Sequence, residues 1–135
     1  MEFFNMKYTP DKITSLQPNE VFVFGSNEAG IHGAGAALLA RQKFGAVLGQ
    51  GFGLYGQSFA IPTKNYYIYT LAINKIKTYV DHFLVFAEGH PHLTFYVTQI
   101  GCGLAGHSPK HIAPLFKDVT SNVILPKTFY DIIKK

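Results

Sequence analysis

Lys64 is the side chain in this sequence best positioned to do chemistry. It follows the apolar run Ser58-Phe-Ala-Ile-Pro62 and Thr63, so it stands at the end of an expected strand and not on a polar helix face. A lysine at such a rim can hold a phosphate as a point charge. Desolvated, its amine becomes a nucleophile. An ordinary solvated surface lysine would also fit that position.

Two glycine-bearing segments share this pattern. Val21-Phe-Val-Phe24 is a short β-rich run that leads into Gly25-Ser26-Asn27 and then Gly30-Ile-His32-Gly33-Ala34-Gly35. Leu93 to Ile100 is a second run, leading into Gly101-Cys102-Gly103-Leu104-Ala105-Gly106-His107. Small residues let the backbone approach a ligand, and exposed N–H groups ahead of a helix favour an anion. The same residues also suit a tight turn with close helix–sheet packing.

Other constellations are weaker. Gly51-Phe-Gly-Leu-Tyr-Gly56 matches GxGxxG, yet it precedes a strand instead of following one. No acidic residue follows about 20 residues on at a strand end, so a loop or lid is expected in place of a dinucleotide site. His107 and His111 are four apart, and His90 and His92 flank a proline. Zinc would need more ligands than these pairs supply, and there is no HExxH, so no metal and no cofactor are expected. Cys102, the single cysteine, excludes an intrachain disulfide and reads as a small packing residue in a reducing cytosol.

The elements that must position these residues follow from periodicity. Ala36 to Phe44 reads as a helix stopped by Gly45. A long helix is expected within Thr70 to Glu88, where Ile73, Ile76, Val80, Phe83, Leu84 and Ala87 recur at three- and four-residue steps. Pro109 to Val119 reads as a further helix, Asn122 to Leu125 as a short strand, and Phe129 to Lys135 as a terminal helical turn or two. Strands alternating with helices predict an α/β fold with a largely parallel sheet, which binds ligands beyond the strands' carboxyl ends.

The chain of 135 residues has no internal repeat or dividing linker, so one domain over 1–135 is expected. At 47% hydrophobic and 15% charged it can bury a core and is not a disordered chain. No apolar stretch is long enough for a membrane helix. The N-terminal MEFFNMKYTP lacks a basic stretch followed by an apolar core, so no signal peptide and a cytoplasmic location are expected. A net charge of +4 suits an anionic ligand. The lysines are scattered, not gathered into the dense stripe of a nucleic-acid domain. The sequence assigns no oligomeric state.

Asn27 followed by HGAGAALLARQKFG, then IPTK, then IGCGLAG, resembles the macrodomain, an ADP-ribose-binding module. The resemblance spans roughly residues 13–125. It is nearest to the branch of terminal ADP-ribose protein glycohydrolase and the antitoxin that removes ADP-ribose from DNA, which carry a TK segment after a strand. It implies a three-layer αβα fold with a mixed, largely parallel sheet. The ligand would be ADP-ribose, free or attached to protein or nucleic acid. It implies a ligand-binding set of Ser26, Asn27, His32, Gly33, Ala34, Gly35 and Ala36, with Asn27 beside the distal ribose. Gly101, Cys102, Gly103, Leu104, Ala105 and Gly106 would form the second phosphate loop. The lysine matching Lys64 attacks the distal ribose in that branch, helped by an acid directly after IGCGL. Here that position is Ala105, and Glu28 and Asp11 lie elsewhere. His107, two residues on, is the expected acid or base in its stead. The macrodomain family's usual adenine-recognising aspartate has no clean match, and Asp11 is its nearest counterpart. Three activities are compatible with this reading: ADP-ribosyl hydrolysis, ligand binding without catalysis, and phosphate release from an ADP-ribose phosphate.

Overall fold

The computed structural model describes residues 7–134. The leader reading of residues 1–6 and the last residue of the expected terminal helix, Lys135, lie outside the described residues. The elements run β1 (Glu20–Asn27), α1 (Gly35–Lys43), β2 (Gly53–Tyr55), β3 (Ser58–Lys64), α2 (Ile73–Glu88), β4 (Thr94–Val97), α3 (Pro109–Ile112), a 3-10 turn (Ala113–Phe116), β5 (Val123–Ile124) and α4 (Lys127–Ile133). The fold is α/β. Its five strands form one mixed sheet in the order β2-β3-β1-β4-β5. The β1–β3, β1–β4 and β4–β5 pairs are parallel, and edge strand β2 is antiparallel to β3.

Alternation along β1 divides the core. Val21 and Val23 join Phe59, Ile61, Phe95 and the α2 residues Ile76, Val80, Phe83 and Ala87 in one buried cluster. Phe22 and Phe24 point the other way and join Ile13, Ala40 and Phe44. Helix α1 therefore packs on one face of the sheet and α2 on the other. Each fully buried phenylalanine or valine contributes about 1.5–3 kcal/mol by leaving water, and β1 alone supplies four such side chains.

Several boundaries differ from the sequence reading. Strand β1 continues through Gly25-Ser26-Asn27, because β3 pairs with it over that length. Lys64 closes β3 and does not follow it. Strand β4 stops at Val97, where Thr98 turns its N–H and hydroxyl onto the Val23 carbonyl at 3.1 and 2.8 Å. The helix from Pro109 breaks into a four-residue α3 and a 3-10 turn, since Pro114 has no N–H for an α-helical bond. The 51–56 segment is not simply a loop, as expected. Gly53–Tyr55 is a short edge strand, and a Cβ on Gly51 would stand 2.2 Å from the Asn27 carbonyl oxygen. That glycine serves close backbone approach, not a dinucleotide.

Candidate functional site

The ends of β1, β3 and β4 converge on one open cleft of about 400 Å³. Gly25, Ser26 and Asn27 form part of its wall from β1, Thr63 and Lys64 from β3, and Thr98 to Gly101 from the end of β4. Ile31, the segment Gly33 to Ala37, Ile68 and the residues Gly103, Leu104 and Ala105 complete it. The volume is that of a small-molecule or cofactor site.

The first loop is fixed by Asn27. Its Oδ1 accepts from the Ile31 N–H at 3.0 Å and its Nδ2 donates to the Ile31 carbonyl at 2.7 Å. Both ends of the amide thus clamp the loop, and one donor and one lone pair are left over for a ligand. Beyond the clamp, α1 begins at Gly35. Its N-cap, Ala34, offers no side-chain hydrogen bond, and no acidic residue lies in the first turn. The unsatisfied N–H groups of this turn stand against the cleft, as an anion requires. At Gly33 and Gly103 an added Cβ would meet no atom within 4 Å, so these two glycines are not demanded by packing.

Ser26 and His32 make a buried pair below the wall. Ser26 Oγ lies 3.2 Å from His32 Nε2. His32 is 1% exposed and packs edge-on to Phe24. Its Nδ1 has no hydrogen-bond partner. Burial, and then the Arg41 charge, hold its pKa below the ordinary value. A neutral imidazole in that position supports Ser26, and only Ser26 of the two lines the cleft.

The third loop closes on itself and on its neighbour. The Gly106 N–H donates to Gly103 O at 3.0 Å and the His107 N–H to Gly101 O at 2.8 Å. His107 Nε2 lies 2.8 Å from the Leu71 carbonyl, which can only accept, so that nitrogen carries a proton. The Thr70 hydroxyl donates to Ala105 O at 2.7 Å. These bonds tie segment 65–71 to the third loop. His107, Cys102, Gly106 and His32 do not line the cleft, whereas the other expected site residues do. Asp11 is exposed and away from it. Burial pushes the Cys102 thiol up to about 11, which makes it a poor nucleophile.

Among the residues that line the cleft, Lys64 alone carries a formal charge. All eight acidic residues fall outside 29–80 and 89–117, the segments that supply most of its wall. Glu28, next to Asn27, accepts a hydrogen bond from the Tyr79 hydroxyl. Burial, reinforced by that carboxylate, pushes the Tyr79 phenol up to about 12. The ion pairs Lys77–Asp81 and Lys127–Asp131 lie along α2 and α4, and Lys64 enters neither. Among the described residues no group of three or more His, Cys, Asp or Glu could hold a metal ion. Nor is any helix there long and apolar enough to cross a membrane.

No protein-family model matches the chain, and no curated protein or solved structure matches it.

Sequence reasoning missed Ile31, Ala37, Ile68, Thr98 and Gln99 among the cleft residues. Asn65, a turn former ahead of an aromatic run, was the available signal for the Ile68 segment.

Proposed function

We propose that this protein is a macrodomain-like ADP-ribose-binding protein, of three-layer αβα type, that hydrolyses ADP-ribosyl linkages on protein or nucleic acid through Lys64. One observation carries the reading. Three strand ends, an uncapped helix N-terminus and Lys64 share a cleft with no carboxylate in its wall. The helix N-terminus and the 101–106 loop suit a diphosphate. Lys64, at the end of β3, suits the distal ribose. The single cysteine fits action in the cytosol.

In this reaction the unprotonated Lys64 amine gives its electron pair to the anomeric carbon of the distal ribose. The bond from that carbon to the modified side chain or base breaks, and the leaving group keeps the pair and takes the proton that the newly alkylated Lys64 nitrogen sheds. Water then cleaves the carbon–nitrogen bond, which releases ADP-ribose and restores the amine. His107 is bonded to Leu71 O and is assigned the role of holding the cleft wall, not of acid or base.

A second reading, binding without catalysis, is favoured by Ala105, which offers no acid at the position following IGCGL. Calorimetry with ADP-ribose, paired with release assays on ADP-ribosylated protein and DNA, separates the two. Hydrolysis requires binding and release by the wild type, with release lost in Lys64→Ala. Binding without release makes the protein a reader. Absence of both overturns the assignment of ADP-ribose.

A further inference from the structure

Among the described residues Ile68 is the one non-glycine with a left-handed backbone, at φ 69°. A β-branched residue is a marked outlier there, since its side chain crowds the backbone. Glycine or asparagine would make the same turn without that strain.

The turn is held by its surroundings. Asn65 Oδ1 accepts from the N–H groups of Tyr67 and Tyr69 at 2.9 and 3.0 Å. The Asn65 N–H donates to Tyr69 O at 2.7 Å, and the Ile68 N–H donates to Asn65 O at 3.1 Å. Thr70 fastens the end of the hairpin to Ala105. None of these bonds uses the isoleucine side chain. Ile68 also belongs to neither hydrophobic cluster and is 41% exposed. Neither turn geometry nor core packing therefore explains an aliphatic side chain at this position. Ile68 does line the cleft, together with the exposed Ile31 and Leu104. Strain of this kind is kept where a site uses it.

We infer that Ile68 is a specificity-determining residue, held in a strained turn so that its side chain caps the apolar face of a sugar or base in a bound nucleotide. The inference rests on the ADP-ribose reading. It assigns the polar, phosphate-binding work to the loops and the apolar contact to the Asn65–Thr70 hairpin.

The test uses Ile68→Asn and Ile68→Val, with ADP-ribose titrated by calorimetry and Tm recorded for each protein. Asparagine tolerates the left-handed backbone, so Ile68→Asn keeps or raises Tm. Its affinity falls by about tenfold or more, as expected for lost apolar contacts in a pocket. Ile68→Val keeps a branched apolar side chain and binds within about threefold of wild type. Wild-type affinity in Ile68→Asn would overturn the cap while leaving the ADP-ribose reading in force. A wild type that does not bind ADP-ribose overturns that reading, and the cap with it.

Discussion

Asn27 and Lys64 stand opposite each other across a shift in the β1–β3 register. Ser26 faces Pro62, but its neighbour Asn27 faces Lys64, so β3 advances two residues where β1 advances one. Thr63 is the extra residue, with its hydroxyl donating to Ser26 O at 3.3 Å. Bulges of this kind re-aim side chains next to functional sites. The shift brings the cleft's lysine level with the residue that clamps the first loop.

Lys64→Arg separates charge from nucleophilicity. The guanidinium still attracts phosphate but does not act as an amine nucleophile. ADP-ribose binding is expected to stay within about fivefold of wild type, and release to fall by about 100-fold or more. Undiminished release from modified protein and DNA would remove Lys64 from the mechanism.

Gly33→Ala tests whether the first loop's openness serves a ligand. Its Cβ would meet no protein atom within 4 Å, so the change in unfolding free energy is expected within about 0.5 kcal/mol. The methyl would enter space at the cleft wall, and ADP-ribose affinity is expected to drop about tenfold or more. Denaturation and calorimetry on the same preparation decide the matter. Equal affinity would mean the ligand does not approach Gly33.

His107→Ala removes the bond to Leu71 O and is expected to cost about 1 kcal/mol of stability. If His107 only fastens the wall, the pH profile of release keeps its shape. Loss of one ionisation from that profile would return His107 to an acid or base role.

His32 makes stability pH-dependent on the acid side. Its folded pKa lies below the ordinary value of 6.5, so the unfolded chain takes up the proton first. Its contribution is complete above 6.5 and is lost as pH falls towards the folded value. In His32→Gln this part of the acid loss should vanish, read as a flatter plot of unfolding free energy against pH. An unchanged slope would mean other groups carry it.

Tyr79 acts at the alkaline end. Its phenol titrates near 12 when folded against an ordinary 10, so its contribution is complete below 10 and is lost as pH rises through about 12. Tyr79→Phe keeps the ring against Phe52 but removes the hydroxyl from Glu28. The variant is expected to lose less stability than wild type across that range, measured by urea unfolding at stepped pH.

Much of the architecture was legible because local patterns carry it. The three- and four-residue spacing of Ile76, Val80, Phe83 and Ala87 gave α2, since one helix face must be buried. The apolar run at 58–62 gave β3, and the alternation of strands with helices gave a mainly parallel sheet. The convergence of three strand-end segments also followed, because parallel strands present their carboxyl ends on one side.

What the sequence could not carry was pairing. The extension of β1 to Asn27, the bulge at Thr63 and the edge strand at Gly53–Tyr55 depend on which strand lies alongside, and that information is non-local. The same holds for His107, whose ring nitrogen is committed to Leu71 O, 36 residues away in sequence. The turn at Ile68 is likewise held by contacts beyond its own residue, with Asn65 Oδ1 accepting from Tyr67 and Tyr69 and Thr70 tied to Ala105, 35 residues on. The sequence by itself determined most of the elements and which residue types stand at their ends. Tertiary structure decided which of those groups face the cleft and which merely hold its walls, because a side chain's partners are set by the packing of distant segments.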